Sequence, residues 1–221
     1  MSDLKILYQD EHLIAIDKPA GMLVHPGRDP EPDEQIAMKA LRNYLGQYVY
    51  IVHRLDRPTS GVLLFTLSKE VQSKVSIQFQ KWQVHKKYYA VAVGKTSEEF
   101  EVDIPLKRDE ESQPAPSLTK FKRINYLPKG VLADTDFSVL DVEPHTGRYH
   151  QIRRHLGWND FPIVGDYLYG DIEKNTSLSK QTSVKRMMLM SYSLEVFHPV
   201  TCEKLLITAD MPDDFKRFML I

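Results

Sequence analysis

Residues 53–65 read His-Arg-Leu-Asp-Arg-Pro-Thr-Ser-Gly-Val-Leu-Leu-Phe and concentrate groups able to do chemistry in one short stretch. A single carboxylate, Asp56, stands between two cations, Arg54 and Arg57. Nearby positive charge keeps a carboxylate ionised, the state needed of a nucleophile or base. Pro58 fixes one backbone angle and Gly61 admits a positive one. Apolar runs, Tyr48–Val52 and Val62–Phe65, flank the polar residues, so the spacing predicts a turn between two buried strands. The same residues also build plain turns. Asp and Ser are common turn formers, and many surface Arg–Asp pairs contribute little. On spacing alone the plain turn is the more common outcome.

Other chemistries find less support. The sequence has neither a Gly-x-Gly-x-x-Gly run nor a Gly-Lys-Ser/Thr ending to cradle a nucleotide phosphate. His145, His150 and His155 cluster, but a spacing of five turns successive residues away from a common helix face, and no His-Glu-x-x-His occurs. Metal ligation is therefore not expected. Ser60 lies in Pro-Thr-Ser-Gly rather than in a nucleophile elbow, and reads as a turn former. What remains is one placed carboxylate, several basic islands and a tyrosine, Tyr88, preceded by Lys86 and Lys87. Taken singly, Tyr88 reads as a half-buried strand residue, and Arg148, Arg153 and Arg154 as a solvated helix face. Taken together, they suggest an acidic nucleophile or base acting on a polyanion whose phosphates the arginines neutralise.

The elements that must hold these groups follow from periodicity. Ile6–Tyr8 and Leu13–Ile16 read as an opening β-hairpin, and the residues 18–21 as a turn. Residues 28–33 read as a surface loop, with Asp33 able to cap a helix carrying Ile36, Ala37, Ala40, Leu41 and Tyr44; Gly46 stops it. Ser68 is placed to cap a second helix whose Val71, Val75, Phe79 and Trp82 recur at helical spacing and read as core. Strands are expected over 86–94, 96–104, 118–126 and 135–143, with an irregular charged connection at 105–116. A helix starting near His150 would bury Ile152 and Leu156 and turn its cations outward. Residues 161–170 form a turn-rich patch, while 173–185 show no periodicity and read as a mobile polar segment. Strands at 187–197 and 204–209 and a short helix at 213–220 close the chain. Many short strands and few helices predict an α+β fold on a mixed, largely antiparallel sheet, with 1–221 as a single domain.

A length of 221 residues suffices for a substantial core, and 42% hydrophobic with 27% charged residues is ordinary for a globular protein. No apolar run reaches membrane-spanning length and no leader precedes the fold, so neither export nor membrane contact is expected. One cysteine, Cys202, rules out an internal disulfide and any multi-cysteine zinc site, and fits a cytoplasmic setting. The net charge is −1, yet the charges segregate: Lys81–Lys87, Lys120–Arg123, Arg148–His155 and Lys180–Arg186 are basic, whereas 29–34 and 109–111 are acidic. Local fields of this kind permit contact with a nucleic acid.

Residues 53–61 resemble the central motif of the RluA-type RNA pseudouridine synthases. Further motifs of that family follow in order: Asp17-Lys18-Pro19-Ala20-Gly21-Met22-Leu23-Val24-His25-Pro26, Lys86-Lys87-Tyr88-Tyr89-Ala90, and Thr146-Gly147-Arg148-Tyr149-His150-Gln151-Ile152-Arg153. Pro162-Ile163-Val164-Gly165-Asp166 and Phe197-His198-Pro199 complete the series, so the likeness runs from Ile6 to Ala209. It implies a pseudouridine synthase fold without a separate N-terminal RNA-binding module. It also implies isomerisation of uridine to pseudouridine on a flipped base, with no cofactor and no metal. Asp56 would be the essential carboxylate, acting on the uracil ring or on the ribose carbon. Arg153 would be its partner cation, and Tyr88 would stack on the uracil. Arg54 would fill the space the base vacates, and Leu55 and Ile152 would wall the site. Lys86, Lys87, Arg148 and Arg154 are candidates for phosphate contact. The Arg-Pro-Thr-Ser-Gly form and the doubled Arg153-Arg154 most resemble the branch acting on tRNA at position 65. An rRNA substrate and a non-catalytic RNA-binding factor are the alternatives. A monomer without an obligate protein partner is expected. Many relatives carry Leu-His-Ala where this chain has Leu189-Met190-Ser191, so no role passes to a histidine there.

Overall fold

The structure is a computed structural model describing residues 4–27 and 35–219. In chain order its strands are β1 (Lys5–Gln9), β2 (Leu13–Lys18), β3 (Tyr50–Ile51), β4 (Ser60–Thr66), β5 (His85–Val93), β6 (Glu99–Val102), β7 (Thr119–Leu127), β8 (Phe137–Pro144), β9 (Leu189–Phe197) and β10 (Lys204–Thr208). The helices are α1 (Ala37–Leu45), α2 (Lys69–Gln80), α3 (Gln151–Trp158), α4 (Ile172–Thr182) and α5 (Asp213–Lys216). The chain forms two compact units: Met1–His85 with Ser191–Asp210, and Lys86–Met190 with Met211–Ile221. Every strand pairing whose register is described between named strands is antiparallel, which with the helices gives the expected α+β class.

In the first unit the strand order is β1-β2-β4-β9, with β10 on β9 and β3 on β4. All seven residues of β4 are buried, as is nearly all of β2. Such unbroken apolar runs, rather than alternation, mark strands covered on both faces. The register from Leu13↔Thr66 to Lys18↔Gly61 sets the end of β2 beside the start of β4. That pairing carries the polar residues preceding Ser60 to the sheet end. The helix predicted around Leu41 is present. Gly46 ends it at φ 67 by donating its N–H to the Arg42 carbonyl at 2.9 Å. Its first amides are met by backbone, Ala37 N–H by Leu23 O and Met38 N–H by Val24 O. Both the Asp33 cap and the loop at 28–33 lie outside the described residues. Ser68 caps α2 as predicted, accepting from the Val71 N–H at 3.2 Å. That helix stops at Gln80, so Trp82 is not core. It sits past the last turn at φ 57 and is half exposed, while Phe79 stacks on His53 with ring centroids 5.0 Å apart.

The second unit carries the order β5-β8-β7-β6. β7 shifts register between Arg123 and Asn125, leaving an irregular step on that strand. Residues 105–116 are irregular as expected, drawn together by a bridge between Leu106 and Ala115. The segment expected to be structureless at 173–185 is instead largely helical, as α4. Asp171 caps it, accepting from the Lys174 N–H at 2.6 Å, and Asn175, Leu178 and Thr182 form its buried stripe. Two of those three residues are polar, which hid the helical period. α5 is shorter than the helix expected to 220, and Leu220 lies outside the described residues. Phe215 and Phe218 are fully buried, Phe218 packing edge-on to Phe137 with centroids 5.2 Å apart.

Candidate active site

The turn bearing Asp56 is fastened from several directions. Thr59 N–H donates to the Asp56 carbonyl at 3.0 Å, closing a four-residue turn around Arg57 and Pro58. Gly21 N–H donates to the Arg57 carbonyl at 2.8 Å, and Arg57 Nε returns a bond to the Gly21 carbonyl at 3.1 Å. Lys18 is wholly buried, its Nζ donating to the carbonyls of Met22 at 2.9 Å, Pro19 at 3.0 Å and Arg57 at 3.2 Å. A buried ammonium is tolerated only when hydrogen-bonded in this way. The residues 18–22 and the residues 56–59 are thereby locked together. Gly61, at φ +106 and second in β4, runs so close to Ser191 that a Cβ would lie 2.0 Å from the Ser191 carbonyl oxygen. Only glycine fits there. Leu55 is buried, Asp56 half-buried and Arg54 exposed, all on the one turn. His53 accepts the Leu64 N–H on Nε2 at 3.0 Å, so that nitrogen carries no proton and the ring braces β4. Thr59 is 2% exposed, and its hydroxyl has no hydrogen-bond partner among the described residues.

In the second unit Tyr88 is half-buried on β5, opposite Val142 of β8. Lys86, two residues earlier, donates Nζ to the Thr146 carbonyl at 2.9 Å; burial lowers its pKa to about 8. Lys87 is exposed, with Asp141 at 3.8 Å. Lys86 thus holds the turn leading to α3. His150, at φ 52, turns the chain into that helix, stacking on Tyr149 and meeting the Tyr169 hydroxyl at 3.0 Å. Gln151 Oε1 accepts from the Thr146 hydroxyl at 2.6 Å and the Arg148 N–H at 3.0 Å, while Nε2 donates to Leu118 O at 3.0 Å and Thr119 Oγ1 at 2.9 Å. All its bonding capacity is used, so it is a fixed brace between turn and sheet.

The outward cations expected of α3 are only partly found. Ile152 and Leu156 are buried as predicted, but so are Arg153 and His155. Arg153 pairs side-on with Asp166, Nε to Oδ2 at 2.7 Å and Nη2 to Oδ1 at 2.9 Å, its guanidinium 5.1 Å from the Tyr169 ring centre. His155 bonds Thr119 Oγ1 at 2.9 Å through Nδ1 and the Ile104 carbonyl at 3.1 Å through Nε2. The carbonyl can only accept, so Nε2 holds the proton. Burial lowers this imidazole's pKa, the Ile104 carbonyl opposing, and the ring is neutral and structural. Arg154 donates to Lys107 O at 2.8 Å and lies over Trp158, and Arg148 Nε donates to Pro116 O at 3.2 Å. Both arginines therefore also anchor the 105–116 loop.

The structure brings Arg54, Leu55 and Asp56 onto one rigid corner, and Lys86, Arg148, Ile152, Arg153 and Arg154 around one turn and helix. Lys18, Gln151 and Asp166 stand in the motifs read from the sequence but were given no role there, and Asn175 was not singled out at all. The legible signal for Lys18 was a lysine ending an apolar strand just before Pro-Ala-Gly, where backbone carbonyls run out of strand partners. Among the described residues no helix is long and apolar enough to cross a membrane.

A family model described as RNA pseudouridylate synthase matches residues 12–158. The tRNA pseudouridine synthase C of Pasteurella multocida (strain Pm70) is 41% identical, spanning 93% of this chain and 90% of its own. That of Haemophilus ducreyi is also 41% identical, over 94% and 90% of the two chains, and that of Vibrio cholerae 38%, over 95% and 92%. Among solved structures, human RNA pseudouridylate synthase domain containing 4 superposes with a TM-score of 0.75 at 25% identity, covering 97% of this chain and 91% of that one. Human RNA pseudouridylate synthase domain containing 1 gives 0.76 at 24% identity, over 95% and 84%, a likeness of fold.

Proposed function

The chain belongs to the RNA pseudouridylate synthase family, and from that premise we propose that it isomerises one uridine of tRNA, at position 65, to pseudouridine. The tRNA substrate is supported by relatives named tRNA pseudouridine synthase C that span most of the chain. Position 65 rests on the form of the central and arginine motifs. The reaction breaks the N-glycosidic bond and joins the same ribose carbon to carbon five of the ring. The base must first leave its stack, at a cost of a few kcal/mol.

In this reading Asp56 is the reactive carboxylate. The observation that carries it is the immobilised turn: a carboxylate on a corner tied by Lys18, Gly21 and Thr59 loses little entropy on aligning with a reacting carbon. Tyr88 supplies the face on which the uracil stacks, Arg153 the directed donors for the carboxylate, and Arg54, exposed on the same turn, the group that fills the vacated stack. Leu55 and Ile152, both 6% exposed, are the apolar walls. Lys87, Arg148 and Arg154 meet phosphates. Lys86 joins them through the turn it holds. The protein acts as a cytoplasmic monomer without cofactor or obligate protein partner.

The test uses tRNA carrying uracil tritiated at carbon five. Wild-type protein releases tritium, whereas Asp56→Asn releases none and still binds tRNA. Turnover by that variant would sink the assignment. Mapping pseudouridine in tRNA and rRNA from a deletion strain checks the substrate, with loss at tRNA position 65 alone as the expected result.

A further inference from the structure

We propose that Thr59 is a positioning residue for Asp56, its hydroxyl held in reserve and engaged by the carboxylate once substrate has driven water from the turn. The role rests on reading Asp56 as the reactive group. Five threonines are buried among the described residues: Thr59, Thr66, Thr96, Thr119 and Thr182. Four of them have satisfied hydroxyls. Thr66 donates to the Ser68 carbonyl at 3.3 Å, Thr96 to Ser97 O at 2.9 Å and Thr182 to Leu178 O at 2.7 Å, while Thr119 accepts from Gln151 Nε2 at 2.9 Å. Thr59 alone has no partner, and among the described residues only Arg42 Nε shares that state. A buried hydroxyl left unbonded destabilises the folded chain, whereas a valine of the same shape does not.

Its place in the fold indicates what the hydroxyl serves. Residues 56–59 form one closed turn, the Thr59 N–H donating to the Asp56 carbonyl at 3.0 Å. The end residues of such a turn have Cα atoms within about 7 Å of each other. Asp56 carries the only ionised acceptor in these four residues, and one χ1 step between staggered wells re-aims a threonine hydroxyl. The turn is held still by the bonds that Lys18 Nζ and the Gly21 N–H make to the Arg57 carbonyl, at 3.2 and 2.8 Å. All of these groups belong to the first unit. Without substrate the half-buried Asp56 carboxylate is partly solvated, and water serves its lone pairs. A uridine seated against it expels that water, and a donor already inside the protein then gains in strength. A bond absent from the free protein and present during reaction raises kcat rather than tightening binding. Held through one oxygen, the carboxylate presents the other to the reacting carbon. The free protein is correspondingly less stable than it would be with an apolar side chain at position 59.

The experiment measures kcat by tritium release under saturating tRNA, tRNA Kd, and the thermal unfolding midpoint for the wild type, Thr59→Val and Thr59→Ser. The signature is a pair of opposite signs. Thr59→Val is expected to raise the midpoint by about 2–4 °C and to lower kcat about 30-fold, with Kd within about twofold. Thr59→Ser keeps the hydroxyl and should hold kcat within about threefold of the wild type. Wild-type kcat in Thr59→Val overturns the proposal, because the hydroxyl is then idle. A lower midpoint or failure to fold in Thr59→Val overturns it too, since the hydroxyl is then already bonded in the free protein. A loss carried by Kd, or a Thr59→Ser variant as slow as Thr59→Val, does the same. Absence of tritium release from the wild type on every RNA would instead overturn the synthase reading, which each of the preceding outcomes leaves standing.

Discussion

At the scale of single residues, unmet bonding capacity stands out at Thr59. Its buried hydroxyl has no hydrogen-bond partner among the described residues, and such a group costs about 1–3 kcal/mol. Thr59→Val keeps the shape and removes the group, so urea unfolding should show a gain of about 1 kcal/mol. Lys86 gives a pH signature. Its pKa in the folded state, about 8, lies below its ordinary 10.5, so the native form releases its proton first. Stability from this group accordingly rises with pH through that interval. Between pH 7.5 and 9.5 the wild type should gain about 1–2 kcal/mol more than Lys86→Met, read from paired denaturation curves. The sequence marked Asp56 because its neighbours were informative types in a turn. It placed Lys18 and Gln151 in motifs without showing that they brace the site, because residue type does not tell which polar side chain will be buried, and each is held by carbonyls and hydroxyls that only the fold brings to it.

At the scale of elements, what could be read depended on whether the buried stripe was apolar. The hairpin of β1 and β2, α1 with its Gly46 stop, and α2 with its Ser68 cap all announced themselves by period and punctuation. α4 did not, since Asn175 and Thr182 occupy two of its three buried positions. Trp82 fell on the right spacing but beyond the helix end. α3 was located correctly while its polarity was misjudged, because Arg153 and His155 are buried through partners distant in sequence. Leu178, 3% exposed, is the one apolar anchor of α4, and Leu178→Ala should cost about 2–4 kcal/mol in thermal or urea unfolding. Asp171→Ala removes only the cap and should cost about 1 kcal/mol by the same measurement.

At the scale of the whole molecule, a net charge of −1 conceals local basic surfaces, and binding to RNA should report those surfaces rather than the average. Neutralising Arg148, Arg154 or Lys87 should each make the slope of log K against log salt shallower by about 0.7–0.9 for every phosphate released, measured by filter binding across a salt series. The path of the chain has a consequence of another kind. Residues 191–210 return to the first unit and residues 211–221 to the second, so each unit is finished by the last thirty-odd positions. β9, the neighbour of β4, is separated from it by more than a hundred residues of chain. A nascent polypeptide still short of Ser191 has neither core complete: β4 lacks its partner β9, and Phe137 lacks Phe218. Pairing so distant in sequence slows folding and leaves strand edges open to misassociation during synthesis. Premature termination within β9 or β10 would therefore spoil both units at once, and such products should be cleared by proteolysis instead of persisting as half-molecules.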